Sequence, residues 1–198
     1  MYDFEPYAAF CRLDADQDKK LYTIDFYNYM RENDRNQFSL KDCQLMMGFY
    51  DLDNGGSLSY SEFMKFILPC DNEQLRTDVC QRKTYEVDIK AGKKLYPTVE
   101  TAMADYFERE INIHVKVEML KQTLHRAHDW NTKAAFNLID SQRQGAISHF
   151  NLYGFCNQNG FDASDDELIA IIRRIEGSGN GQIDCDEFAC AIDPIIIK

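Results

Sequence analysis

Asp51-Leu52-Asp53-Asn54-Gly55-Gly56-Ser57-Leu58-Ser59-Tyr60-Ser61-Glu62, followed by Phe63, strings oxygen donors along one short loop. Carboxylates stand at loop positions 1 and 3, a glycine at 6, an aliphatic residue at 8, a hydroxyl at 9 and a glutamate at 12. A hard cation takes about six to eight oxygens, and a single short loop supplies them only by wrapping around the ion. Asp51 and Asp53 reach in directly, Ser57 offers its backbone carbonyl, and Ser59 contributes through water. Glu62, opening the next helix, can give both carboxylate oxygens at once. Gly55 has no side-chain oxygen, so water fills that place. Gly56 permits the sharp turn, because a positive φ costs glycine nothing. Leu58 points away from the ion and is free to pair with a partner loop.

The same pattern recurs in three further places. One copy runs from Asp14 to Asp25 and is followed by Phe26; the others are Asp140–Asn151 and Glu176–Glu187, the last followed by Phe188. Every copy keeps an aliphatic residue at position 8: Leu21, Leu58, Ile147 and Ile183. Apolar residues also precede each loop by four and by one: Phe10 and Leu13, Met47 and Tyr50, Phe136 and Ile139, Ile172 and Ile175. That spacing predicts an apolar stripe on each incoming helix. On these residues the chain resembles the EF-hand family of calcium-binding proteins. The resemblance implies an all-α fold of two EF-hand pair lobes, residues 1–69 and 131–198, joined by a mainly helical segment over 70–130.

Counting oxygens separates the four loops. Loop 51–62 is expected to hold calcium. Loop 14–25 carries Asp14, Asp16, Asp18 and Asp25, with Lys20 at the backbone-carbonyl position. Two features weaken it. Lys19 replaces the glycine at position 6, where a left-handed backbone costs roughly 1 kcal/mol or more. Asp25 at position 12 is one methylene shorter than Glu, which favours single-oxygen binding and a smaller ion such as magnesium. Loop 140–151 has lost the chemistry: Gln142 and Gln144 are neutral, and Asn151 is not a carboxylate. Loop 176–187 keeps Asn180, Gly181 and Glu187 but starts on the long Glu176 and has only Ser178 at position 3.

The formal net charge of -11 and pI near 4.8 suit a cation binder and argue against nonspecific nucleic-acid binding, which needs a basic footprint. With 44% hydrophobic and 13% aromatic residues, the chain can fill packed cores. The seven cysteines form no CxxC pair and nothing reads as a signal peptide, so reduced thiols in a cytoplasmic compartment are expected. No apolar run reaches the roughly 20 residues that span a bilayer. Met1-Tyr2 lacks the glycine needed for myristoylation, so no membrane partner is expected.

Caps and breakers place the helices. Asp3 can cap a first helix that runs to Leu13, with Pro6 in its opening turn. Ser39 with Asp42, and Ser164 with Glu167, read as capping boxes. Pro69 should end the helix leaving the second loop, and Asn159-Gly160 the helix leaving the third. Within 70–130, Asp71 and Gln74 open a helix to about Thr84, and Pro97-Thr98 begins another with Val99, Ala102, Met103, Tyr106 and Phe107 on one face. Val117, Leu120 and Leu124 suggest a second helical piece before Trp130. A decayed fifth repeat starting at Asp88 lacks ligands. Arg76, Arg82, Lys83, Lys90, Lys93 and Lys94 form a basic stretch, read either as a solvated face or as a contact for an acidic surface such as tubulin. His125 and His128 lack a third ligand at similar spacing and read as surface histidines. No GxSxG, GxxxxGK[ST] or HExxH motif occurs, so no enzymatic activity is expected.

Two functional classes follow. One is a sensor resembling calmodulin, which exposes Met46, Met47 and Met64 on calcium binding and takes an amphipathic target helix. The other is a structural or regulatory subunit of a larger assembly. The run Phe63-Met64-Lys65-Phe66-Ile67-Leu68-Pro69-Cys70-Asp71-Asn72 resembles EF-hand proteins of ciliates associated with cilia. That resemblance implies an axonemal, doublet-microtubule setting with tubulin or other axonemal proteins as partners.

Overall fold

The computed structural model describes residues 4–69, 72–82 and 93–195. Among them, all regular structure is helical: α1 (Pro6–Leu13), α2 (Thr23–Glu32), α3 (Leu40–Tyr50), α4 (Tyr60–Ile67), α5 (Glu73–Cys80), α6 (Pro97–His125), α7 (Thr132–Ile139), α8 (His149–Gln158), α9 (Asp165–Ile175) and α10 (Cys185–Ile192). The fold is all-α. Each of the four loops read from the sequence connects two consecutive helices, and each helix that leaves a loop starts within it.

Local chemistry explains the helix ends. Ser39, Ser148 and Ser164 accept from the backbone N–H three residues on, and the residue at that position returns the bond to the cap backbone. The first helix is capped by Glu5, whose carboxylate takes the Tyr7 and Ala8 N–H groups at 2.9 and 2.7 Å, with Pro6 at the opening position. Asp3, expected in that role, lies outside the described residues. So do Asp71 and Thr84, the expected limits of a helix that is observed as Glu73–Cys80, and the fifth repeat around Asp88. α4 stops at Ile67 ahead of Pro69, and Gly160 takes φ +78° just beyond α8.

α6 departs from expectation. The apolar spacing predicts two helical pieces, yet one helix runs from Pro97 to His125. Residues 113–124 hold no Gly or Pro, so the apolar positions change face without breaking the helix.

The chain forms two compact units: residues 1–68, 74–119 and 195–198 make the first, and 69–73 with 120–194 the second. In the first, Phe10, Leu13, Phe26, Tyr29, Met30, Tyr50, Phe63 and Phe66 close around Val99, Met103, Phe107 and Ile111 of α6. Phe107 is fully buried. Its ring lies 5.3 Å from Phe66, nearly parallel at 18°, and meets Phe26 and Tyr29 edge-on, each at 5.5 Å. A buried ion pair fastens the N-terminal end of the same helix. Arg12 Nε donates to Glu100 at 2.8 Å, and Glu100 also accepts from the Leu95 N–H at 2.8 Å. The Tyr29 hydroxyl donates to the Glu100 carbonyl at 3.0 Å. Burial alone would raise the Glu100 carboxyl, but the Arg12 guanidinium and the Leu95 N–H outweigh it and hold it below the usual range.

The second unit has a smaller core: Phe136, Ile139, Ile147, Ile172, Ile183 and Phe188. α8 contributes no fully buried side chain. Within each unit the loops pair through their aliphatic position 8. Leu21 and Leu58 exchange backbone bonds of 2.9 and 2.8 Å, and Ile147 and Ile183 exchange bonds of 2.8 and 3.0 Å. All four side chains are buried.

Candidate metal centre

The loops share one backbone trace. Residues at position 4 (Gln17, Asn54, Arg143, Gly179) and position 6 (Lys19, Gly56, Gly145, Gly181) all have positive φ, between +55° and +80°. This conformation turns successive N–H groups inward, and the carboxylate at position 1 accepts them. Asp51 takes the Gly55 and Gly56 N–H at 2.9 and 2.8 Å; Asp14 takes Asp18 and Lys19 at 3.2 and 3.1 Å; Asp140 takes Gln144 and Gly145 at 3.0 and 2.7 Å. Glu176 also accepts from Gly181, at 3.1 Å. The loop shape is thus held by position 1 whatever stands at the other donor positions.

Position 12 is where the loops part. Glu62 is buried, and its two oxygens face different ways: Oε2 accepts from the Ser59 N–H and hydroxyl at 2.8 and 2.7 Å, while Oε1 crosses the loop to the Leu52 N–H at 3.0 Å. Glu187 repeats the crossing, accepting from Gly177 at 2.7 Å. Asp25 and Asn151 are shorter and bond locally, to the Tyr22 N–H at 2.7 Å and to the Ser148 N–H and hydroxyl at 2.9 and 2.6 Å. One methylene decides whether the side chain closes the loop or only caps its own helix.

Two acidic groups result. Carboxylate oxygens of Asp51, Asp53 and Glu62 lie within 4.8 Å of one another, as do those of Asp14, Asp16 and Asp18. The remaining candidates sit around them. Ser57 is buried and directly precedes the bridging Leu58; Ser59 caps α4. Lys20 directly precedes Leu21, and its N–H donates to Asp18 at 2.8 Å. Asp25 stays at the start of α2 as a capping carboxylate.

Electrostatics fit a cation. Burial pushes the Asp51 carboxyl up and the neighbouring Asp53 adds to this, against the lowering effect of the Gly55 and Gly56 N–H groups. Burial likewise raises Asp14, opposed by the Lys19 N–H and reinforced by Asp16 and Asp18, and it raises Asp25 as well. Carboxylates that raise one another lack a counter-charge, and a divalent ion supplies one. The donor set is oxygen throughout, which suits calcium or magnesium rather than a soft metal.

Other sequence features lie apart from these groups. Trp130 donates to His125 Nε2 at 3.2 Å, and that nitrogen is also 3.3 Å from Asp193. Of the basic stretch, Lys83 and Lys90 fall outside the described residues, and Arg82 donates to the Phe4 carbonyl at 2.7 Å. Sequence reading missed the polar residues of α6 that meet the loop-bearing helices. Glu110 accepts from the Tyr50 hydroxyl at 2.8 Å, and Glu100 holds Arg12. Their signal was the presence of charges at the margin of an apolar helix face. Among the described residues, no helix is long and apolar enough to cross a membrane. No protein-family model matches the chain, and no curated protein matches it in sequence.

Proposed function

We propose that this chain is an EF-hand protein that binds calcium in loop 51–62 and acts as a structural or regulatory subunit of a larger assembly. The convergence of Asp51, Asp53 and Glu62 carries the first part: three carboxylates on one loop, closed across by a buried glutamate. Ser57 and Ser59 complete that donor set. Loop 14–25 is a weaker site that takes calcium or magnesium through Asp14, Asp16, Asp18 and the Lys20 carbonyl, with Asp25 reached singly. The bound ion supplies charge balance and rigidity. The loops of the second unit serve as fixed connections.

The second part is supported by α6. A sensor that captures target helices needs an accessible apolar cleft. In the first unit Phe26, Tyr29 and Phe66 already face Phe107 of the chain's own helix. An external helix must displace α6 to reach them. The ciliate-type resemblance makes an axonemal assembly with tubulin or its associated proteins the setting we propose.

Calorimetric titration with calcium and with magnesium tests the site. Calcium should bind the wild-type chain, and Glu62→Gln should remove most of that affinity; unchanged affinity in the variant refutes the assignment. For the assembly role, the protein should stay with its native complex after chelation. Release by chelator, with calcium-dependent dye binding, would support the calmodulin-like sensor instead.

A further inference from the structure

We infer that α6 is the positioning element of loop 51–62: its docked face holds α3 and α4 in the arrangement that brings Asp51 and Glu62 together. The inference rests on the calcium reading above and adds a determinant outside the loop.

Both helices that flank the loop touch α6 within about one turn of a carboxylate ligand. α3 ends at Tyr50, the residue before Asp51. The Tyr50 hydroxyl donates to Glu110 of α6 at 2.8 Å, and Glu110 lies 3.6 Å from His114 Nε2. Phe49 and Tyr50 both rest on the His114 ring, with centroids 4.7 and 5.7 Å apart. On the other side, α4 carries Glu62 and, four residues later, Phe66. Phe66 stacks on Phe107, and its carbonyl accepts the Tyr106 hydroxyl. Tyr50 and Phe66 also meet each other, at 4.6 Å. The angle between α3 and α4 is therefore set by side chains that α6 holds, and the same angle sets the separation of Asp51 from Glu62. Two binding events that favour one arrangement assist each other, and the assistance is reciprocal. α6 docking should raise calcium affinity, and calcium should hold α6 down.

The loop itself stays intact in the variants that test this. Calcium titrations are run on the full chain carrying Phe107→Leu, Glu110→Ala or Lys116→Ala, the last an exposed position on the same helix. Phe107→Leu and Glu110→Ala, which removes the acceptor of the Tyr50 hydroxyl, should each weaken calcium binding by about five- to tenfold, within the usual range for coupled sites. Lys116→Ala should bind as the wild type does. If Phe107→Leu does not fold, as judged by circular dichroism, Glu110→Ala carries the comparison. In the reverse direction, calcium should slow amide exchange over residues 98–111 in the wild type and not in Glu62→Gln. Wild-type calcium affinity in the folded variants, with α6 exchange indifferent to calcium, overturns the inference and leaves the calcium site standing. A wild-type chain that binds no calcium overturns the site, and the inference falls with it.

Discussion

The two units repeat the same helix-loop-helix pairing and differ in what completes the core. In the first, loop positions 13 and 16 are Phe26 and Tyr29, then Phe63 and Phe66, all buried. In the second they are Leu152 and Phe155, then Phe188 and Ala191, and of these only Phe188 is buried. Leu138, Phe150 and Phe161 remain 69%, 74% and 69% exposed. The first unit owes its larger core to a helix from outside the pair. Loop pairing through position 8 is thus independent both of ion chemistry and of core size: the Ile147–Ile183 bridge forms although loop 140–151 keeps Asp140 as its one donor carboxylate.

The sharpest way to break this contrast is through the rings. Phe107→Ala empties the centre of the first core and should cost about 3–5 kcal/mol. Phe188→Ala in the smaller second core should fall at or below the lower end of that range, because its surroundings can collapse or hydrate. Denaturant unfolding with exchange read separately over each unit checks both; equal costs would erase the distinction.

Ion binding gives the next effect. Ligand charge tunes such loops over several decades, so Glu62→Gln should weaken calcium binding on the order of 100-fold. Glu187→Gln, which changes the same loop position in the second unit, should leave calorimetric calcium binding nearly untouched. A comparable loss in both would show that loop 176–187 is also occupied.

Acidity separates core from loops within the first unit. Asp14, Asp25 and Asp51 have folded values above the ordinary carboxylate range, so their effect on cation-free stability is most favourable at low pH and is lost as pH rises through those values. Glu100 is held below that range, so its contribution is full above the unfolded value of about 4 and is lost as pH falls through the folded one. Stability of the calcium-free protein should therefore rise as pH falls through the raised folded values of these aspartates, and fall again at acidity below about 4, where Glu100 is protonated. With saturating calcium the initial rise should vanish, because protons and the ion compete for the same oxygens. Thermal melts across pH, with and without calcium, measure this.

The smallest effect concerns backbone strain. Lys19 sits at φ +66° where loop 51–62 has Gly56. Lys19→Gly should relieve about 1 kcal/mol of it and strengthen ion binding in loop 14–25. A destabilised variant would mean that the Lys19 side chain contributes more than its backbone costs.

Much of this was legible in residue order alone. Loop spacing located all four turns, and the residues one and four places before each loop are buried except Ile175, which is half-buried. Serine with an acid three residues on marked helix starts at Ser39 and Ser164, since cap and partner lie within one turn. Less legible was α6: its apolar face could be read from Val99 to Phe107, but the address of that face could not. Local bonding belongs to neighbours in the chain, so residue order was enough to place the loops and their caps. The choice of α6 as the lid of the first core, and the pairing of Tyr50 with Glu110 and of Arg12 with Glu100 across 60 and 88 residues, were decided only in three dimensions. Burial of an apolar face rewards any complementary surface that reaches it, and no local pattern names which one will.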